Sequence, residues 1–442
     1  MGRLFPSFVV GGLWALWSGS AAVIAQDDYD HPPISYAHSQ PDNAVSRLEN
    51  RLKTGEVVLA YEEPWGYLRS LLAALDIPVS SQTLVYSKTS LQRHRISPRT
   101  PRAIFFNDEV YLGYCKNGDV LEISVADGAL GTVFYTVDQR DRSAAAFRRQ
   151  NDNCLLCHAG GQTRGVPGHL FRSLYVDKHG HPLLASGSFR VDHTSPIAQR
   201  WGGWYVTGTH GDQKHLGNQI FSGRDAAEAG IDPTGLNVTD LSQRFDSSAY
   251  LSDDSDLVAL MVLGHQAAGH NVLTKALFST KTALYREAAL NRELGEPADH
   301  RWDSTNTVLN SSAEALLKYF LFSGEAALQA PMEGTTAFAR EFTAQGPRDR
   351  HGRSLREFDL TTRLFRYPCS YLVYSESFDR LPAELRERFW TRMNAVLSGA
   401  DTSPDFAHLT ATDRAALREI LCDTKPEAAA FLSEAAPTVS RR

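Results

Sequence analysis

Five consecutive residues, Cys154-Leu155-Leu156-Cys157-His158, constrain this chain more than any others. Two residues between the cysteines put both sulfurs on one side of a single turn, and an imidazole follows at once. This is the attachment signature of a c-type haem, in which two thiols add across the porphyrin vinyl groups and the adjacent histidine ligates the iron. A zinc site would need a second ligand pair, and no other C-x-x-C or C-x-H cluster occurs in the sequence. A thioredoxin-like redox pair would sit just after a strand, whereas residues 142–150, before the motif, read as a helix. The motif predicts one covalent haem c, held by Cys154 and Cys157, with His158 as the proximal iron ligand.

The N-terminus supports that expectation. Met1-Gly2-Arg3 is a short basic start, residues 4–25 are apolar, and Val23-Ile24-Ala25 gives a small-x-small ending before Gln26-Asp27-Asp28. The pattern predicts a secretory signal peptide over 1–25. An uncleaved anchor is the competing reading, since the stretch could just span a bilayer. Pro6, Gly11, Gly12, Gly19 and Ser20 weaken it as a membrane helix. No later run is apolar and long enough to span, so no membrane span is expected after cleavage. Haem c is attached outside the bacterial cytoplasm, so export and the motif together point to a periplasmic or secreted protein.

Composition is that of an ordinary globular chain, with 42% hydrophobic and 22% charged residues among 442. A formal net charge of −6 suggests neither nucleic acid nor an anionic membrane as partner. Local arginine clusters, 93–102 and 348–356, leave room for a docking patch but read first as solvated loop charge. Of five cysteines, Cys115, Cys369 and Cys422 lie outside the motif, and Cys369 with Cys422 is the favoured pairing if a disulfide forms. No internal repeat is present, so a single haem is expected rather than an array.

In chain order, helices are predicted over 44–53 and 67–75, then a short strand at 83–86. A meander follows at 103–106, 109–115, 120–125 and 132–137, with Asn117-Gly118 as its clearest hairpin signal. Short strands are read at 173–176 and 187–191, and the Gly- and aromatic-rich stretch 200–222 is either a porphyrin-facing loop or a tight sheet corner. The longest helical pattern covers 257–294, capped by acidic residues, and helices follow at 312–323, 325–328, 381–397, 411–422 and 426–435. The expected fold class is α+β, mostly helical, with an antiparallel β-meander in the N-terminal half and a helical C-terminal half. Its regions are a signal peptide at 1–25, a β-rich part at 26–140, a cytochrome c-like haem segment at 141–222, and a helical part at 223–442 that closes the haem pocket.

The second axial ligand decides the chemistry. The mature chain offers only Met261, Met332 and Met393, the nearest lying 103 residues beyond His158 (261 − 158). At 100° per residue, Leu257, Val258, Met261, His265, Ala268, Val272 and Ala276 share one helical stripe, making His265 or Met261 the candidate distal ligand. Core packing for Met261 and a backbone hydrogen bond for His265 are the competing roles. Gly264 and Gly269 in that helix suggest a close neighbour, whether haem or another helix. His169, His193, His210 and His215 are further candidates, but the last three match no zinc spacing, and hydrogen-bonded or surface roles are the default.

Residues 142–175 resemble the c-type cytochrome superfamily. In that superfamily a Gly/Pro-x-Leu segment follows the haem motif and a proline carbonyl accepts the histidine Nδ1–H. Pro167 and Leu170 are similar to that segment, with two intervening residues instead of one. More widely, the blocks RISPRTPRAIFFNDEVYLG (95–113), GGWYVTGTHG (202–211), VALMVLGHQAAGHN (258–271) and LFRYPCSYLVYSESFDRLP (364–382) resemble large secreted bacterial proteins with one cytochrome c motif and no assigned activity. The resemblance implies haem c, electron transfer and a redox partner protein. A haem-dependent oxidoreductase of peroxidase or dehydrogenase type and a haem-based sensor are the alternatives. No GxSxG, HExxH, P-loop or Rossmann fingerprint offers a separate enzyme site.

Overall fold

Alternation of apolar and polar residues over 102–138 produces the sheet that it predicts. In the computed structural model, which describes residues 28–223 and 226–433, six antiparallel strands pair in chain order. They are β1 (Thr83–Val85), β2 (Arg102–Phe106), β3 (Val110–Cys115), β4 (Val120–Asp127), β5 (Gly131–Asp138) and β6 (Phe147–Arg149). The expected signal peptide, 1–25, lies outside the described residues. Asn117 joins β3 to β4 with φ of 54°, a left-handed conformation that asparagine tolerates. In β4, Leu121, Ile123 and Val125 are buried on one face, while Glu122 and Ser124 are half-buried on the other. Register sets Gly113 beside Glu122, Glu122 beside Thr136, and Thr136 beside Arg148, so one polar row crosses four strands.

The helices, in order, are α1 (Ala44–Lys53), α2 (Leu68–Ala74), α3 (Leu155–His158), α4 (Leu257–Leu294), α5 (Asp303–Phe320), α6 (Phe338–Ala344), α7 (Glu376–Asp379), α8 (Ala383–Leu397), α9 (Ala411–Thr424) and α10 (Pro426–Leu432). Helix α4 is the axis of the carboxyl half. Asp256 caps it by accepting the Val258 and Ala259 N–H groups, and Gly295, with φ of 70°, ends it. From Leu257 to Thr274 every residue is buried, so this half of the helix has no single inner stripe. It packs on α5 and on β5, and α5 packs on α8. One continuous apolar cluster runs from Tyr29 to Leu432. No helix among the described residues is long and apolar enough to cross a membrane.

Several expectations need correction. Residues 142–150 are not a helix, since Phe147, Arg148 and Arg149 pair with Val137, Thr136 and Tyr135. The alanines at 144–146 favour helix locally, but the open edge of β5 needs partners for its backbone groups, and that requirement wins. Helix α5 begins at Asp303, nine residues before the expected start at 312, and 325–328 is not helical. Cys369 and Cys422 form no disulfide; Cys369 is sealed in the core. The Gly-rich stretch after residue 200 takes a tight-corner geometry, one of the two readings its sequence left open. Tyr86 N–H donates to Gly203 O, and Trp201 and Trp204 are buried in the core. Two small strand pairs complete the fold: β7 (Arg172–Leu174) with β8 (Ser188–Arg190), and β9 (Gly208–Thr209) with β10 (Glu333–Gly334).

Candidate functional site

Helix α3 is a single turn carrying the motif. The Cys154 carbonyl accepts both the Cys157 N–H (3.2 Å) and the His158 N–H (2.9 Å), which fixes both thiols and the imidazole on one short element. Cys154 is half-buried, Cys157 is exposed, and neither is in a disulfide. Burial pushes the Cys154 thiol up to about 11, the reverse of the lowered value that drives a redox C-x-x-C pair. Between them Leu156 stands 84% exposed.

The His158 ring is held at one nitrogen only. Its Nδ1–H donates to the Gly168 carbonyl at 2.9 Å, and the Gly168 N–H donates back to the His158 carbonyl at 2.8 Å. Among the described residues nothing hydrogen-bonds its Nε2. Burial holds the imidazole below its ordinary value and so in the neutral, metal-binding form. Phe134 meets the ring edge-on at 4.8 Å between centroids. The carbonyl acceptor is thus Gly168, one residue beyond the expected Pro167. The Pro167 carbonyl instead accepts the Thr132 N–H from β5 (3.2 Å), tying the loop to the sheet. Leu170 is half-buried and touches none of this hydrogen bonding. A neutral imidazole anchored at Nδ1 with Nε2 free, beside two thiols on the same turn, is a donor set that fits haem c.

What fixes Gly168 is Asn271 on α4. Its Oδ1 accepts the His169 N–H and its Nδ2–H donates to the His169 carbonyl, both at 2.8 Å. This two-point clamp leaves no space at Gly168, where a Cβ would fall 2.3 Å from Asn271 Oδ1. A residue 113 positions away (271 − 158) therefore orients the imidazole through one glycine. Asn271 lay inside a block singled out from sequence, but its role did not. The usable signal is the polar residues, Gln266, His270 and Asn271 among them, in the fully buried first half of the helix, because buried polar groups require partners.

On the sheet, Arg102 ion-pairs with Glu122 at 2.7 Å, both mostly covered. The pair is close enough to act electrostatically on Cys154 and His158. Ser90 and Gln92 donate to the other Glu122 oxygen at 3.2 and 3.1 Å. Gly113 makes room, since a Cβ there would lie 2.3 Å from Arg102 Nη2. A glycine inside a strand was the sequence clue to that close approach.

The distal candidates are engaged elsewhere. His265 pairs its Nδ1 with His193 Nδ1 at 3.1 Å and its Nε2 with Ser370 Oγ at 2.8 Å, so a distal role would require breaking one of these bonds. Met261 is core filling at 4% exposure. Gly264 and Gly269 accommodate Phe171, Leu372 and Tyr319, which makes them sites of side-chain packing. The trio His193, His210 and His215 is split between two places. Gly217 N–H donates to His215 Nδ1 and Asn237 N–H donates to His210 Nε2. His215 therefore carries its proton on Nε2 and donates it to His210 Nε2 at 3.1 Å, a hydrogen-bonded clasp and not a metal pair. His169 packs against Tyr111 with ring centroids 4.1 Å apart and planes tilted by 39°, and lies beside His270, whose Nε2–H donates to the Asp108 carbonyl. Among the described residues no group of three or more His, Cys, Asp or Glu side chains could hold a metal ion.

Comparison with known protein families, with curated proteins and with solved structures finds no match to this chain.

Proposed function

We propose that the chain is an exported bacterial c-type haem protein that passes electrons through one covalently held haem to or from a partner protein. Cys154 and Cys157 would carry the thioether bonds and His158 would ligate iron through Nε2. The bound haem supplies a one-electron ferric/ferrous couple. The chain's own residues set its surroundings. Gly168 holds the imidazole proton at Nδ1, Asn271 holds Gly168, Phe134 braces the ring, and Arg102 with Glu122 place a fixed ion pair nearby. The observation that carries the reading is the one-sided anchoring of a neutral His158 beside two unpaired thiols on the same turn.

Unpaired charge in the segment after the motif supports a protein partner. Arg164 follows the motif, Arg172 lies directly opposite Arg190 across β7 and β8, and none of the three has a carboxylate partner within salt-bridge distance among the described residues. Burial lowers Arg164, and Arg190 lowers it further. Unpaired arginines of this kind favour an acidic partner surface. The test is a redox titration of protein matured with the haem-attachment machinery, in wild type and in His158→Ala. The reading expects a reversible one-electron couple in the wild type that His158→Ala shifts or abolishes. A wild-type protein that loads haem but shows no reversible couple contradicts it.

A further inference from the structure

A cleft of about 230 Å³ opens between the 61–66 loop and the β3–β4 hairpin, outside the motif. Three aromatic side chains, Tyr61, Trp65 and Tyr114, line it. Arg142 sits over the Tyr61 ring and Arg69 over the Trp65 ring, bracing both. The charged lining residues are already neutralised by neighbours: Glu63 pairs with Arg142 (2.7 Å), Arg140 with Asp138 (3.0 Å), and Asp119 with Arg95 (3.5 Å). The uncharged polar groups are not engaged in this way. The Gln139 side-chain amide nitrogen is buried without a partner while its oxygen accepts the Tyr67 N–H. The Tyr61 and Tyr114 hydroxyls and the Asn117 side chain likewise make no hydrogen bond among the described residues.

Aromatic walls, four unengaged neutral hydrogen-bonding groups and balanced charge define one ligand chemistry. Apolar faces that alternate with hydroxyls suit rings of this kind, and an unbalanced ligand charge would find no counter-charge here. We propose that this cleft binds a neutral sugar ring, either a free monosaccharide or the terminal unit of a glycan. The cleft adjoins the motif's face of the sheet, because Cys115 lines it and lies directly opposite Arg102. The proposal does not depend on the haem.

Saturation-transfer NMR on the full exported chain tests it, using glucose, N-acetylglucosamine and their β-linked disaccharides, with glucuronate and glucose 6-phosphate as charged counterparts. At least one neutral sugar is expected to show transfer and to bind more tightly than its charged counterpart; a disaccharide preference identifies a glycan terminus. Asn117→Gly keeps the left-handed turn and Tyr114→Phe removes only a hydroxyl, and each should weaken binding roughly tenfold without changing the melting temperature. Absence of transfer from every neutral sugar, tighter binding of the charged ones, or unchanged affinity in both variants overturns the proposal.

Discussion

Asn271→Ala should destabilise the protein and, if the proposed haem is bound through His158, shift its potential. The substitution removes two hydrogen bonds of 2.8 Å to the His169 backbone and leaves a buried N–H and a buried carbonyl without partners. At about 1–3 kcal/mol for each unsatisfied buried group, the cost is about 2–6 kcal/mol. The loop then relaxes, and the His158 Nδ1–H bond to Gly168 loosens with it. That bond makes the imidazole a stronger donor to oxidised iron, so loosening it should raise the reduction potential. If about 1 kcal/mol of the bond is lost, the shift is about 40 mV. Urea unfolding of the protein without haem and potentiometry of the haem-loaded form measure the two effects separately. Asn271→Asp keeps the acceptor but loses the donor, and should fall between wild type and Ala in both. A normal potential in Asn271→Ala, with the stability loss present, would refute the proposed link between α4 and His158 as an iron ligand.

Other consequences follow from single contacts. Gly168→Ala should reproduce much of the Asn271→Ala effect, because its Cβ would sit 2.3 Å from Asn271 Oδ1; a crystal structure with the clamp intact would contradict this. Asp256→Ala removes the cap of α4 and the carboxylate oxygen that accepts from Thr336, and should cost about 2 kcal/mol or more in urea unfolding. Burial raises Glu325 to about 7, so its contribution favours folding below the ordinary carboxylate value and is lost as pH climbs from about 4.5 to about 7. Glu325→Gln, which retains an acceptor for the Leu364 N–H, should melt higher than wild type above pH 7 and flatten that part of the pH profile. Equal slopes for the two proteins would show that this carboxyl does not carry the dependence.

Local pattern made some of this molecule legible and tertiary contact decided the rest. The meander was readable because strand alternation and the Asn117-Gly118 turn are local properties, and α4 because its caps flank a long apolar run. Strand β6 was not, since only the unpaired edge of β5 gives residues 147–149 a reason to extend. The same division holds at the site. Cys154, Cys157 and His158 stand out in the sequence by spacing alone, and the need for an acceptor on Nδ1 follows from the general chemistry of a ligating histidine. That the carbonyl belongs to Gly168 and not Pro167 depends on Asn271, which reaches the loop only when α4 docks on the sheet. His265 makes the same point: its partners, His193 and Ser370, come from distant segments, so its hydrogen bonding is not readable from the helix alone.

The central claim, a haem joined covalently to Cys154 and Cys157, is tested most directly by intact-mass analysis under denaturing conditions. The protein is matured with the attachment machinery, alongside a Cys154→Ser/Cys157→Ser variant. The account predicts wild-type protein heavier by one haem, with a haem c absorption spectrum, and an unmodified double variant. Wild-type protein at its unmodified mass, or a haem retained covalently by the variant, would contradict it.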